Sequence, residues 1–295
     1  MQYARGIATV TQAERVAAAE LAVVPDPRDT IDSENFPVAS RLLPGRLRRD
    51  LQAVYGVART IDSLGDEVVG DRLSQLADFE ADLRRVWSSD RPRHAVLQRL
   101  AVTVADRDLT IEPFLALVAA NRLDQTRTSY PTWTDLRDYC ALSADPVGHI
   151  VLEILGAASP DRLARSAAVC TALQLLEHCQ DVGEDRRRGR TYLPVVDLQI
   201  YGVDFGDLDL PVTGPRVRAL VGHEVARAER LLGSGEPLVR SLRGAGRLAV
   251  AGYVAGGLAT ADALRRADFD VLAVDVVPAR RDVARHALRL VGGRG

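Results

Sequence analysis

Apolar residues recur at steps of three and four along most of this chain, the spacing of helices that bury one face. Leu47, Leu51, Val54, Ala58 and Ile61 form one such stripe, and Leu163, Ala167, Cys170, Leu173 and Leu176 form another. The pattern predicts helices at roughly 34–42, 46–69, 73–88, 92–105, 110–128, 133–143, 145–157, 160–183, 214–232, 236–267 with breaks, and 278–291. Pro44, Pro131, Pro146, Pro160, Pro215 and Pro278 fall near helix starts, where a missing N–H costs nothing. Period-two alternation is lacking. The one β-like run, Val271-Leu-Ala-Val-Asp-Val-Val277, reads as a lead into the last helix. Residues 1–32 read as an N-terminal extension, a short helix near 11–22 and then a Pro/Asp loop. Residues 33–295 read as a single all-α domain, a helical bundle of about ten helices with its site in the interior.

Beside the first apolar stripe runs a second, polar one. Tyr55, Arg59, Asp62 and Asp66 step by 4, 3 and 4, so they share one helix face. The last two belong to a D-x-x-x-D pattern, Asp62-Ser-Leu-Gly-Asp66, which recurs as Asp181-Val-Gly-Glu-Asp185. The second copy lies in a stripe of its own, Gln174, Glu177, Asp181 and Asp185. Carboxylates one turn apart repel by about 0.2–0.5 kcal/mol. In a chain with 40 acidic residues, one copy alone reads as a solvated helix face. Two copies, each flanked by a core-facing stripe, read as facing carboxylate pairs whose repulsion a cation offsets. Mg²⁺ takes oxygen ligands, keeps several waters and bridges carboxylates to phosphates. Two such helices could therefore grip a diphosphate through metal ions. Arg186-Arg-Arg-Gly-Arg190 directly follows the second pair and would supply anion ligands.

Composition narrows the choice. The 47% hydrophobic and 26% charged content is that of a globular protein. A net charge of −2, with no face combining basic and aromatic residues, argues against a nucleic-acid partner. All 38 basic residues are arginine, which excludes Schiff-base chemistry and a P-loop lysine. Cys140, Cys170 and Cys179 are too few and scattered for a disulfide framework or zinc site. The five histidines lack metal spacing, and His178, beside the acidic stripe, reads as a packing residue. Gly244-Ala-Gly-Arg-Leu-Ala249 mimics a dinucleotide fingerprint, but no strand precedes it, so it reads as a helix boundary. The longest uncharged apolar stretch, residues 248–261, falls short of the roughly 20 residues of a membrane span. With no basic-then-apolar leader at the N-terminus, the expectation is a cytoplasmic protein, with peripheral membrane contact left open.

Three segments carry a family resemblance. Tyr55-Gly-Val-Ala-Arg-Thr-Ile-Asp-Ser-Leu-Gly-Asp-Glu67 and Gln174-Leu-Leu-Glu-His-Cys-Gln-Asp-Val-Gly-Glu-Asp-Arg-Arg-Arg-Gly-Arg-Thr-Tyr-Leu-Pro194 resemble the two signatures of the squalene/phytoene synthase family. Tyr139-Cys-Ala-Leu-Ser-Ala-Asp-Pro-Val-Gly148 resembles that family's Tyr-Cys…Val-Gly helix start. The resemblance implies an all-α isoprenoid synthase-type bundle with a central cavity. It also implies Mg²⁺ held by Asp62, Asp66, Asp181 and Asp185, with Glu177 as helper. Ser33, Arg59 and Arg190 would contact a substrate diphosphate, and Tyr55, Tyr139 and Tyr192 would line the cavity. Within the family, Ser33-Glu-Asn-Phe-Pro-Val-Ala-Ser-Arg-Leu-Leu-Pro44 is most similar to the hydroxysqualene synthase branch of bacterial hopanoid biosynthesis. Condensing members usually carry a cation where this chain has Glu34, and Asn where it has Glu177. The implied reaction is conversion of presqualene diphosphate to hydroxysqualene, with water capturing the carbocation. Two alternatives stay open: a condensing squalene or phytoene synthase joining two prenyl diphosphates, and a non-catalytic helical partner of other hopanoid-pathway enzymes.

Overall fold

The computed structural model describes residues 43–293. Among them are thirteen α-helices and two 3₁₀ turns, with no strand; one isolated parallel bridge joins Ser129 and Thr191. The helices are α1 (Gly45–Asp66), α2 (Arg72–Leu83), α3 (Ala95–Arg107), α4 (Glu112–Leu123), α5 (Trp133–Ser143), α6 (Asp145–Ile154), α7 (Pro160–Gln180), α8 (Val182–Arg187), α9 (Val195–Tyr201), α10 (Pro215–Gly235), α11 (Pro237–Ser241), α12 (Gly244–Arg266) and α13 (Arg280–Gly292). The 3₁₀ turns are Arg84–Trp87 and Phe205–Asp209. No helix among the described residues is long and apolar enough to cross a membrane. The expected helices at 11–22 and 34–42, together with Ser33 and Glu34, lie outside the described residues.

Local chemistry sets the helix starts. The Asp71 carboxylate caps α2 by accepting from the Ser74 N–H at 3.1 Å. Thr132 and Asp135 form a reciprocal capping box at α5. Pro160 and Pro215 occupy first turns, as expected. The 73–88 prediction ends early because α2 tightens into a 3₁₀ turn after Leu83. The 236–267 segment breaks between Ser241 and Gly244. Helix α9 and the 3₁₀ turn after it are too short for a periodic signal, and the sequence pattern missed both. Gly244 opens α12 with no strand before it, so the glycine-rich run is a helix boundary.

Two apolar cores result. Helices α1–α4 pack one core around Leu51, Ile61, Leu97 and Phe114, all 3% exposed or less. Helices α5, α7 and α9–α13 pack the other around Leu175, Leu220, Val225 and Leu264. Helix α6 feeds both, with Ile150, Val151 and Ile154 to the first and Leu152 to the second. The stripe Leu47, Leu51, Val54 and Ile61 is buried as expected. The stripe on α7 is corrected in part: Leu176 is buried as expected, Leu163, Ala167, Cys170 and Leu173 are half-buried, and the buried positions also include Val169, Ala172, Leu175 and Cys179. Helix α7 is packed by α5, α6, α10, α11 and α12, so it buries residues on several sides. The first acidic motif ends α1, and the second runs from the end of α7 into α8.

Candidate active site

On α1 the polar stripe lies as the spacing requires. Tyr55, Arg59 and Asp66 are half-buried and Asp62 is exposed. Arg59 donates to Glu67 Oε1 at 2.6 Å, so this expected diphosphate contact is held by an acid two turns on. Asp62 Oδ1 accepts from Asn121 Nδ2 on α4 at 3.1 Å. Asp62 reaches water, yet the protein around it thins its hydration. That loss, with the charges of Asp66 and Asp124, outweighs Asn121 and Arg59 and pushes its carboxyl up to about 6. Beyond Asp66 the chain is closed by Arg72, which donates to the carbonyls of Asp66 and Val68 at 2.9 and 3.0 Å.

The second motif corrects the expected helix at 160–183. Helix α7 stops at Gln180, and Asp181 (φ −98°, ψ 14°) separates it from α8. Hydrogen bonds from Asp181 N to Glu177 O (2.9 Å) and from Asp185 N to Asp181 O (2.8 Å) continue across the break. The two acids therefore remain one turn apart. Asp181 is half-buried, and burial, then the like charges of Asp185 and Glu184, push it up to about 6 against His178 and Arg188. Glu177 is exposed one turn before it.

Arginine joins the two motifs. Arg190 donates to Asp66 Oδ1, and Arg188 Nη1 lies 3.5 Å from Asp66 Oδ2. Arg188 Nη2 also lies 2.7 Å from Glu184 Oε1 on the second motif. In this structure, then, the charge of Asp66 is offset by the chain's own cations, a partner that repulsion arguments alone did not supply. Burial would lower the Arg190 guanidinium, but its bonds to Asp66 and Tyr192 raise it overall, so it stays charged.

Beneath this pair lies an aromatic floor. Tyr139 and Tyr192, each 5% exposed, both donate to Asp124, at 2.6 and 3.0 Å. Burial and the charge of Asp124 hold both hydroxyls well above the usual tyrosine range, so they remain neutral donors. Burial likewise raises the Asp124 carboxyl, against the two hydroxyls and Arg190. Arg190 Nη1 lies 4.0 Å from Asp124 and donates to the Tyr192 oxygen at 3.3 Å. Tyr130, 1% exposed, stacks on Tyr192 at 5.7 Å, and His178 stacks on its ring at 3.9 Å. His178 is thus a packing residue, its Nδ1 3.8 Å from Asp185.

Asn121, Asp124 and Tyr130 also contact these residues, and the sequence reading did not single them out, whereas Arg188 lies in the basic loop it named. The usable signal was Asn121-Arg-Leu-Asp124, polar residues that follow the apolar run 113–120 of α4. Among the described residues, three metal-type ligand atoms lie within 4.8 Å of one another only at Asp197, His223 and Glu224. That cluster is filled already: Arg227 donates to Asp197 at 2.9 Å and to Glu224 at 2.6 and 2.7 Å. The acidic motifs offer a wider, all-oxygen donor set. Two of their carboxylates, Asp62 and Asp181, are pushed up by lost hydration and then by like-charge neighbours, which fits a hard divalent cation shared with an anionic ligand.

A bundle of α-helices with no strand among the described residues is the architecture of the all-α isoprenoid synthases. The chain belongs to the squalene/phytoene synthase family, whose sequence profile matches residues 31–285. It is 38% identical over 179 residues to the hydroxysqualene synthase of Zymomonas mobilis, a stretch spanning 59% of each chain. With the hydroxysqualene synthase of Rhodopseudomonas palustris it shares 34% identity over 214 residues, 71% of this chain and 72% of that one. The crystal structure of a squalene synthase from Alicyclobacillus acidocaldarius superposes with a TM-score of 0.75 at 38% identity, covering 85% of this chain and 95% of that one.

Proposed function

We propose that this enzyme converts presqualene diphosphate to hydroxysqualene with Mg²⁺. The observation that supports it most is the arginine link between the two acidic motifs: Arg190 and Arg188 hold Asp66 of the first, Arg188 also pairs with Glu184 of the second, and Tyr139 and Tyr192 lie beside them on Asp124. The acid pairs would hold Mg²⁺, which when bound acts as a Lewis acid on the leaving diphosphate. Arg190 and Arg188 would exchange Asp66 for diphosphate oxygens, a planar fork onto a phosphate. The substrate C–O bond breaks and its electron pair leaves with the diphosphate. The ring face of Tyr55 would stabilise the carbocation, with Tyr139 and Tyr192, buried and packed beneath, supporting the site's floor. Water then supplies the pair for the new C–O bond and loses a proton. Buried apolar helix faces would shape the C30 chain and limit bulk water.

A second reading, condensation of two prenyl diphosphates, draws on the relative titled squalene synthase. Glu34 favours hydroxysqualene over it. The metal requirement is tested by EDTA and by Asp62→Asn and Asp181→Asn. Each should abolish turnover while leaving the helical circular dichroism intact. Normal turnover after chelation, or in either variant, would reject the assignment.

A further inference from the structure

Asn121 lies beside the first acidic motif with both hydrogen bonds of its side-chain amide made by the nitrogen. Its Nδ2 donates to Asp62 Oδ1 at 3.1 Å and to the Leu117 carbonyl at 3.3 Å. Two acceptors on one side fix the amide's orientation, because the flipped form would turn its carbonyl toward a carboxylate. Oδ1 therefore faces the other way, onto Gly65 of α1. A Cβ built on Gly65 would stand 2.2 Å from that oxygen and 3.1 Å from Asn121 Cγ. Gln125, one turn further along, donates to both the Gly65 carbonyl (3.0 Å) and the Asn121 carbonyl (2.9 Å). Helices α1 and α4 are thus clamped at one point, three residues from Asp62.

From this geometry we propose that Asn121 is a positioning residue, which fixes the Asp62 carboxylate for cation binding and needs Gly65 to be bare in order to reach it. The amide suits the task because it is neutral. It occupies Oδ1 and leaves Oδ2 for a ligand, without adding charge to a site that already holds several acids. A carboxylate held by a neighbouring donor presents one geometry to a metal, whereas a free one must be ordered on binding. The inference deepens the metal-dependent reading above and rests on it.

The test measures Mn²⁺ uptake by electron paramagnetic resonance in the presence of inorganic pyrophosphate, with melting temperature recorded alongside. Asn121→Ala should weaken Mn²⁺ binding by about 10–100-fold while the protein stays folded. Gly65→Ala should weaken it too, by pushing the amide off Asp62. The double variant Gly65→Ala/Asn121→Ala should bind no worse than Asn121→Ala alone, since both changes break the same bond. Uptake by Asn121→Ala within about twofold of wild type, or losses that multiply in the double variant, would overturn the proposal. Should Gly65→Ala fail to fold, Asn121→Ala decides by itself. Wild-type protein that takes up no Mn²⁺ with pyrophosphate would instead overturn the function proposed above, and this inference with it.

Discussion

Asp124 is the test case for the aromatic floor. Its two oxygens accept the Tyr139 and Tyr192 hydroxyls at 2.6 and 3.0 Å, and both tyrosines are 5% exposed. Asp124→Ala leaves two buried donors with no acceptor. A hydrogen bond to a charged group contributes about 1.5–3 kcal/mol, so the pair is worth about 3–6 kcal/mol. Arg190 softens the loss little, because it keeps Asp66 as partner. For a chain of this size each kcal/mol moves the melting temperature by about 2–4 °C, which gives a drop of about 6–24 °C. Asp124→Asn keeps the shape and one acceptor, and its amide can donate to a rotated hydroxyl, so it should lose less than half as much. Tyr139→Phe should cost about 1.5–3 kcal/mol in the wild type and almost nothing in Asp124→Ala. Thermal unfolding followed by circular dichroism measures all four proteins. A melting temperature for Asp124→Ala within about 2 °C of wild type would refute the reasoning.

Other outcomes follow from the same geometry. Asp62 and Asp181 are both raised from an ordinary 3.8 to about 6, so the folded protein holds their protons more tightly than the unfolded chain does. The stability this confers is present at acid pH and lost as pH rises from about 4 to 6. Metal-free wild type should therefore gain melting temperature, relative to Asp62→Asn/Asp181→Asn, as pH falls from 7 to 5; an unchanged difference contradicts the assignment. Mn²⁺ uptake, which needs the ionised forms, should weaken over the same window, and titration at several pH values checks it. Gly257→Ala would place a Cβ 2.6 Å from Leu173 Cδ2 and 3.2 Å from Leu232 Cδ1, an overpacking that costs about 1–3 kcal/mol in thermal unfolding. Glu34 should disfavour a second diphosphate, so wild-type protein should make little presqualene diphosphate from farnesyl diphosphate, as product analysis would show.

The sequence carried what local periodicity can carry. The stripe from Leu47 to Ile61 placed α1, and its polar neighbour placed Tyr55, Arg59, Asp62 and Asp66 on one face, because a single helix is a repeating object. Asp181 and Asp185 were legible as a pair, but the helix break between α7 and α8 was not, since the i to i−4 bonds run through it. Asn121 and Asp124 left only a polar pair one turn apart at the end of α4, which says nothing of what they meet. Their roles come from Tyr139 on α5, Tyr192 after α8 and Asp62 on α1, which meet only in three dimensions. The α7 stripe misled for a related reason: a helix surrounded by neighbours has no single buried face.

The central claim is the reaction itself. Purified protein incubated with presqualene diphosphate and Mg²⁺, without NADPH, should release diphosphate and yield a product whose mass is that of hydroxysqualene. Addition of NADPH should change neither the amount nor the mass of that product. Presqualene diphosphate left unconsumed, or squalene that forms only when NADPH is added, would contradict the account.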